Sequence, residues 1–256
     1  MNQRSLSRFI LGCFALFLFP AQALADLADT VARIKPSLVV VGTFNALKSP
    51  QFAMRGSGFV VGNGTLIATN SHVVPEVMGA DSSPDILTIL ARQGNEVRRY
   101  PAKIVSRDPE YDLAILRVTD VTLPAMTLGS ADKVREGQSV AFSGFPIGGA
   151  LGFSPVTHRG IVSSITPIVL PTGNAQDLKD QSIRRLRRGP FPIFQLDGTA
   201  YPGNSGGPLF DPDTGEVVGV LNMVFVKATK EAVLEKPSGI SYAIPVRHLA
   251  DLLGKL

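Results

Sequence analysis

Ser205 stands in the stretch LDGTAYPGNSGGPLF, residues 196–210, with Asn204 before it, Gly206 and Gly207 after it, and prolines at 202 and 208. Glycine adopts backbone angles that side-chained residues avoid and lets another group approach the chain closely, so a serine held there is presented rather than packed. The same residue types also build ordinary turns between strands, and the stretch alone does not separate the two readings. A serine hydroxyl is almost wholly protonated at neutral pH, so a nucleophilic role needs a base, usually an imidazole oriented by a carboxylate. His72, in TLIATNSHVV, follows an apolar run, and Asp112, in DPEYDLAILRV, precedes one. Taken singly, the first reads as a loop histidine and the second as a turn aspartate. Their order His, Asp, Ser, each at the junction of a strand and a loop, favours acyl transfer by an activated serine.

Such a trio has to be positioned by strands. Short stretches rich in Val and Ile recur between Gly, Pro, Asn and Asp: SLVVVGTF, GSGFVV, TLIATN, DILTIL, YDLAILRV, SVAFSGF, GIVSSI, PIFQLD, EVVGVLNMVFV and ISYAI. Many short strands with frequent turn signals predict an all-β sandwich or barrel. In VVGNGTLIA, Asn63-Gly64 predicts a tight type I′ hairpin, and DPDTGEVV, 211–218, a second turn. Helical periodicity is confined to a short amino-terminal helix over Leu27 to Ile34 and a carboxyl-terminal one over Val246 to Leu253. LPAMTLGSADKVREGQ, 123–138, interrupts the strand pattern and predicts two units, 26–137 with His72 and Asp112 and 138–256 with Ser205. No long linker divides them, so the halves are expected to pack together.

The first 25 residues read as an export signal: Arg4 and Arg8, the apolar run FILGCFALFLF, and ALA before Asp26. The run falls short of the roughly 20 apolar residues a membrane anchor requires. Cys13 lies at the front of that run rather than after it, which argues against lipidation. It is the single cysteine, so no disulfide or thiolate metal site is expected after export, and the fold must rest on its apolar core. His72, His158 and His248 show no metal-ligand spacing, and neither a metal nor another cofactor is expected. Of the formal net charge of +4, Arg4 and Arg8 supply two, a balance that does not imply nucleic acid. Arg184, Arg185, Arg187 and Arg188 fall within the segment 166–192, and such a charge run is most simply a solvated loop.

Together TNSHVV, YDLAIL and GNSGGPL resemble the three catalytic motifs of the chymotrypsin-fold serine proteases, and in particular the HtrA/Deg branch of bacterial envelope proteases. GSGFVV, GIVSSI, EVVGVLNM and SYAIP fall in that family's order, so the resemblance covers most of Asp26 to Leu256. It implies two packed six-stranded antiparallel β-barrels with the active site between them. It further implies a secreted or periplasmic endopeptidase acting on polypeptides, including unfolded envelope proteins, as a monomer or trimer without a stable membrane anchor. Ser205 would attack the peptide carbonyl, His72 would take and return its proton, and Asp112 would hold His72. Gly203, Asn204 and Ser205 would form the oxyanion turn. Thr199 would lie at the floor of the primary pocket, with Leu221, Asn222 and Met223 along its wall and on an edge strand open to a substrate. A neutral Thr199 offers no partner to a substrate Lys or Arg.

HtrA proteins normally carry PDZ domains after the protease domain, and no such domain is expected before Leu256. The arginine-bearing segment falls where relatives have activation loops. Two other readings compete. A catalytically inactive binding module could keep the same fold. An α/β-hydrolase esterase fits G-x-S-x-G at Gly203, Ser205 and Gly207, but Pro208 interrupts the required helix and only His248 lies downstream.

Overall fold

The computed structural model describes residues 26–75, 85–146, 153–168, 191–222 and 239–256. Met223, the arginines at 184–188 and the export segment fall outside them.

Seven strands form the first sheet: β1 (Leu38–Phe44), β2 (Phe52–Val61), β3 (Leu66–Asn70), β4 (Ile86–Gln93), β5 (Glu96–Pro101), β6 (Lys103–Asp108) and β7 (Leu113–Arg117). Their order across the sheet is β5-β4-β1-β2-β3-β7-β6. The outermost two, β5 and β6, are successive in the chain, with only Ala102 between them. β5 pairs with β4 and β6 with β7, while Ala102 N–H donates to Leu87 O at 2.9 Å. One bent strand therefore joins both edges and curls the sheet into a barrel, so six strand positions are filled by seven segments. Pro101, which has no N–H to give, stands at that bend.

The second sheet is a closed barrel, β10-β13-β12-β11-β8-β9. Its strands are β8 (Ser139–Gly144), β9 (Val156–Ile168), β10 (Phe191–Asp197), β11 (Pro208–Phe210), β12 (Val217–Leu221) and β13 (Ile240–Pro245). Two helices flank the barrels, α1 (Leu27–Ile34) and α2 (Val246–Leu253), with the Asp26 side chain capping the first at Ala28 N–H. Among the described residues no helix is long and apolar enough to cross a membrane.

The core explains why β1 reads as an unbroken apolar run. Val39 and Val41 face the interior of the first barrel, whereas Leu38 and Val40 join a cluster that also holds Phe142, Phe194, Phe210 and Val220 of the second. A strand buried on both faces loses the polar alternation of a half-exposed one. The segment between β7 and β8 is tied down at both ends. Leu123 and Met126 donate to Gly64 O and Val60 O on the first barrel, and Leu128 makes a parallel bridge to Val217 on the second.

The hairpin at Asn63-Gly64 forms, but not as a two-residue type I′ turn. Residues 62–65 connect β2 to β3, with positive φ at Gly62 and Gly64 and not at Asn63. The Asn63 side chain accepts from Thr65 N–H and hydroxyl at 3.1 and 2.7 Å, which favours the longer loop.

Candidate active site

His72 lies in a single 3-10 turn, Ser71–Val73, that ends β3. Its ring nitrogen Nδ1 stands 2.6 Å from Asp112 Oδ2, and its backbone N–H donates to Asp112 Oδ1 at 2.8 Å. An ionised carboxylate can only accept, so the proton sits on Nδ1 and the Nε2 lone pair is left to take another. The imidazole side chain keeps 33% of its surface exposed and the Asp112 side chain 12%, so the ring meets solvent and the carboxylate lies behind it.

Asp112 is held from three sides. Its carbonyl accepts from the Asn70 side-chain amide and from Ser71 N–H, both at 3.0 Å. Asn222 Nδ2 reaches from the end of β12 to donate to Asp112 Oδ2 at 2.7 Å. That oxygen thus receives two donors, one from each barrel. Asp112 itself has φ +52°, a left-handed conformation that costs energy in any residue with a side chain and that Asp tolerates better than most.

The turn carrying Ser205 is pressed against the first barrel. A Cβ on Gly206, φ +85°, would lie 2.2 Å from Ser57 O, 2.4 Å from Thr69 Oγ1 and 3.1 Å from Asn70 N, just before His72. Only glycine fits. Ser57 N–H donates to Ser205 O at 2.8 Å, and Ser57 Oγ donates to Gly203 O at 2.6 Å while accepting from Phe145 N–H at 2.9 Å. A Cβ on Gly56 would meet both Val73, beside the histidine, and Ser205 O. Ser205 is 5% exposed, and no hydrogen bond joins its hydroxyl to the His72 ring among the described residues. Such bonds are commonly long without substrate and tighten when it binds.

Gly203 has φ +104°, and neither Gly203 N–H nor Ser205 N–H donates to a protein acceptor among the described residues. These two backbone donors are therefore unspent. Asn204 N–H is spent on Tyr201 O at 3.0 Å, and Asn204 O accepts from Gly207 N–H at 2.9 Å. Asn204 therefore braces the turn rather than donating into it.

Two of the residues expected along the pocket wall, Leu221 and Asn222, are turned inward. Leu221 is fully buried in the core, its N–H donates to Gly207 O and its carbonyl accepts from Gly206 N–H. Asn222 is also fully buried, its N–H on Tyr242 O and its side chain on Asp112. Neither presents a side chain to a substrate. The reason is that β12 passes beneath the serine turn, between β11 and β13, rather than along an open edge. Thr199 is partly exposed.

Two contributors are not legible in the sequence: Asn222, expected along the pocket wall, donates to Asp112, and Ser57, within GSGFVV, ties down the Ser205 turn. The available signal was a polar residue at a position that strand alternation buries, since both are fully buried and a buried polar group requires a partner. His158 and His248 lie elsewhere: His158 on β9 stacks on Phe142, and His248 on α2 stacks on Tyr111. Among the described residues no group of three or more His, Cys, Asp or Glu side chains could hold a metal ion.

Residues 56–220 match the trypsin-like peptidase domain family. A protein of Marinomonas sp. (strain MWYL1) named "Probable periplasmic serine endoprotease DegP-like" is 33% identical over 216 residues, which cover 83% of this chain and 38% of that protein. A protein of the same name from Halomonas elongata is 35% identical over 202 residues, 78% of this chain and 35% of that one. The chain thus spans well under half the length of these relatives. Among solved structures, the HtrA-type protease AlgW with tripeptide is 25% identical with a TM-score of 0.63, over 90% of this chain and 62% of that one.

Proposed function

The chain belongs to the trypsin-like peptidase family, and from that premise we propose that it is an exported serine endopeptidase that cleaves polypeptides through an acyl-enzyme. Ser205 Oγ attacks the scissile carbonyl as His72 Nε2 takes its proton. Asp112 keeps the imidazole in the tautomer with the proton on Nδ1 and stabilises the imidazolium that forms. Gly203 N–H and Ser205 N–H receive the charge that develops on the carbonyl oxygen. His72 then returns its proton to the leaving amine, and water releases the acyl group by the same steps in reverse.

The observation that carries this reading is the carboxylate–imidazole pair at 2.6 Å, with the Ser205 turn packed against the strand end that bears the ring. The two unspent N–H groups beside Ser205 favour an enzyme over an inactive binding module of the same fold. Thr199 is assigned to the floor of the primary pocket, where a neutral side chain disfavours substrate Lys and Arg. A periplasmic location follows the names of the relatives and the export segment, and unfolded envelope proteins are the substrate class it brings within reach. The two units are assigned to 26–137 and 138–256.

A fluorophosphonate probe and a pool of random peptides test the assignment together. The native chain is expected to take the label and cleave, whereas Ser205→Ala and His72→Ala lose cleavage and Ser205→Ala loses the label. Absence of labelling in the native chain under every condition would favour the binding module.

A further inference from the structure

We propose that His248 is a positioning residue for Asp112, acting through the ring of Tyr111; this rests on the reading of Asp112 as the partner of the base. The inference starts from the backbone. Asp112 occupies the left-handed region at φ +52°, and such a conformation persists only where the surroundings over-determine it. Its carbonyl side is fixed by Asn70 and Ser71. Its amino side begins at Asp108, whose Oδ1 accepts from Glu110 N–H at 2.9 Å and Tyr111 N–H at 3.2 Å. Between these anchors the residue directly before Asp112 is gripped by its ring.

That grip comes from the other half of the molecule. Tyr111 and His248 stack with centroids 3.8 Å apart and planes 18° from parallel, while Phe191 meets Tyr111 edge-on at 5.0 Å and His248 at 5.8 Å. His248 is 9% exposed and rides on α2, whose Val246, Leu249 and Leu252 are buried in the shared core. Phe191 opens β10. A helix and a strand of the second half therefore clamp the turn of the first half that presents the carboxylate. Displacing a supporting group by about 1 Å can cost up to ~100-fold in rate even when it never touches substrate. The three rings act through the turn they clamp, and their contribution is to hold Asp112 against His72.

The test compares His248→Ala, which removes the stack, with His248→Phe, which keeps an aromatic face. The first readout is the proton resonance of His72 Nδ1–H, shifted far downfield by its short bond to Asp112 and observable without turnover. The second is the separation of kcat from KM on a peptide substrate. His248→Ala is expected to lose or broaden the resonance and to lower kcat about tenfold with KM within about twofold, and His248→Phe to restore both. Should His248→Ala fail to fold by circular dichroism, Tyr111→Leu carries the same comparison against Tyr111→Phe. A resonance unchanged when the stack is removed, or absent from the native chain, overturns the proposal, as does failure of the aromatic variant to restore it. A native chain that shows the resonance but cleaves nothing defeats the proteolytic reading instead.

Discussion

At the scale of single residues, the site depends on one carboxylate oxygen with two donors. Asp112 Oδ2 accepts from His72 Nδ1 and from Asn222 Nδ2, at 2.6 and 2.7 Å. Replacing Asn222 by Ala removes a charge-assisted hydrogen bond from a buried carboxylate, which is worth about 1.5–3 kcal/mol. The carboxylate is then freer to rotate away from the ring. We expect kcat to fall by about tenfold to a hundredfold with KM little changed, measured by steady-state cleavage of a peptide, and Asn222→Asp to be worse than Asn222→Ala because it sets a second negative charge against Asp112. The triad candidates were legible in sequence because each sits in a short run of unusual composition. Asn222 was not, because its task is defined by a partner 110 residues away, and nothing in VLNMVF states which way its amide points.

At the scale of elements, the turn bearing Ser205 is shaped by what it must fit against. Gly206 is a point of close approach, with Ser57 O and Thr69 Oγ1 both closer than 2.5 Å to any added Cβ. Ser57 O is main chain of β2, itself locked between β1 and β3, so it cannot yield. Gly206→Ala combines backbone strain at φ +85° with that overlap, and we expect it to destabilise the fold by roughly 3 kcal/mol or more and to abolish cleavage in whatever fraction folds. Chemical denaturation of the Ser205→Ala background checks the stability without self-cleavage. The strands around this turn divide sharply in legibility. β1, β3 and β7 announce themselves by buried Val, Ile and Leu, whereas β5 (EVRRYP) is largely exposed and carries charge on both faces, so its sequence resembles a loop. β11 is three residues long and hidden behind the glycines and Pro208. These segments are strands because neighbours supply the hydrogen bonds, not because their own side chains prefer it.

At the scale of the whole molecule, two imidazoles outside the groove link folding to acidity. Burial disfavours the charged form of His248 and pushes its pKa from 6.5 to about 4; Arg247 adds to the fall, while Asp251 and Asp108 oppose it. Burial lowers His158 as well. The unfolded chain takes up protons on these rings as the pH falls through about 6.5, whereas the folded chain resists until lower pH. Their contribution to stability is therefore complete above that value and is lost progressively as the pH drops below it, for His248 toward about 4. In a chain of this size each kcal/mol lost lowers Tm by about 2–4 °C. We expect Tm of the Ser205→Ala protein to fall by several degrees between about pH 7 and about pH 4.5, and His248→Phe, which keeps the stack on Tyr111 but binds no proton, to flatten that slope. Thermal melts of both variants across this range decide it: a slope unchanged by His248→Phe would mean that the acid sensitivity resides in other groups.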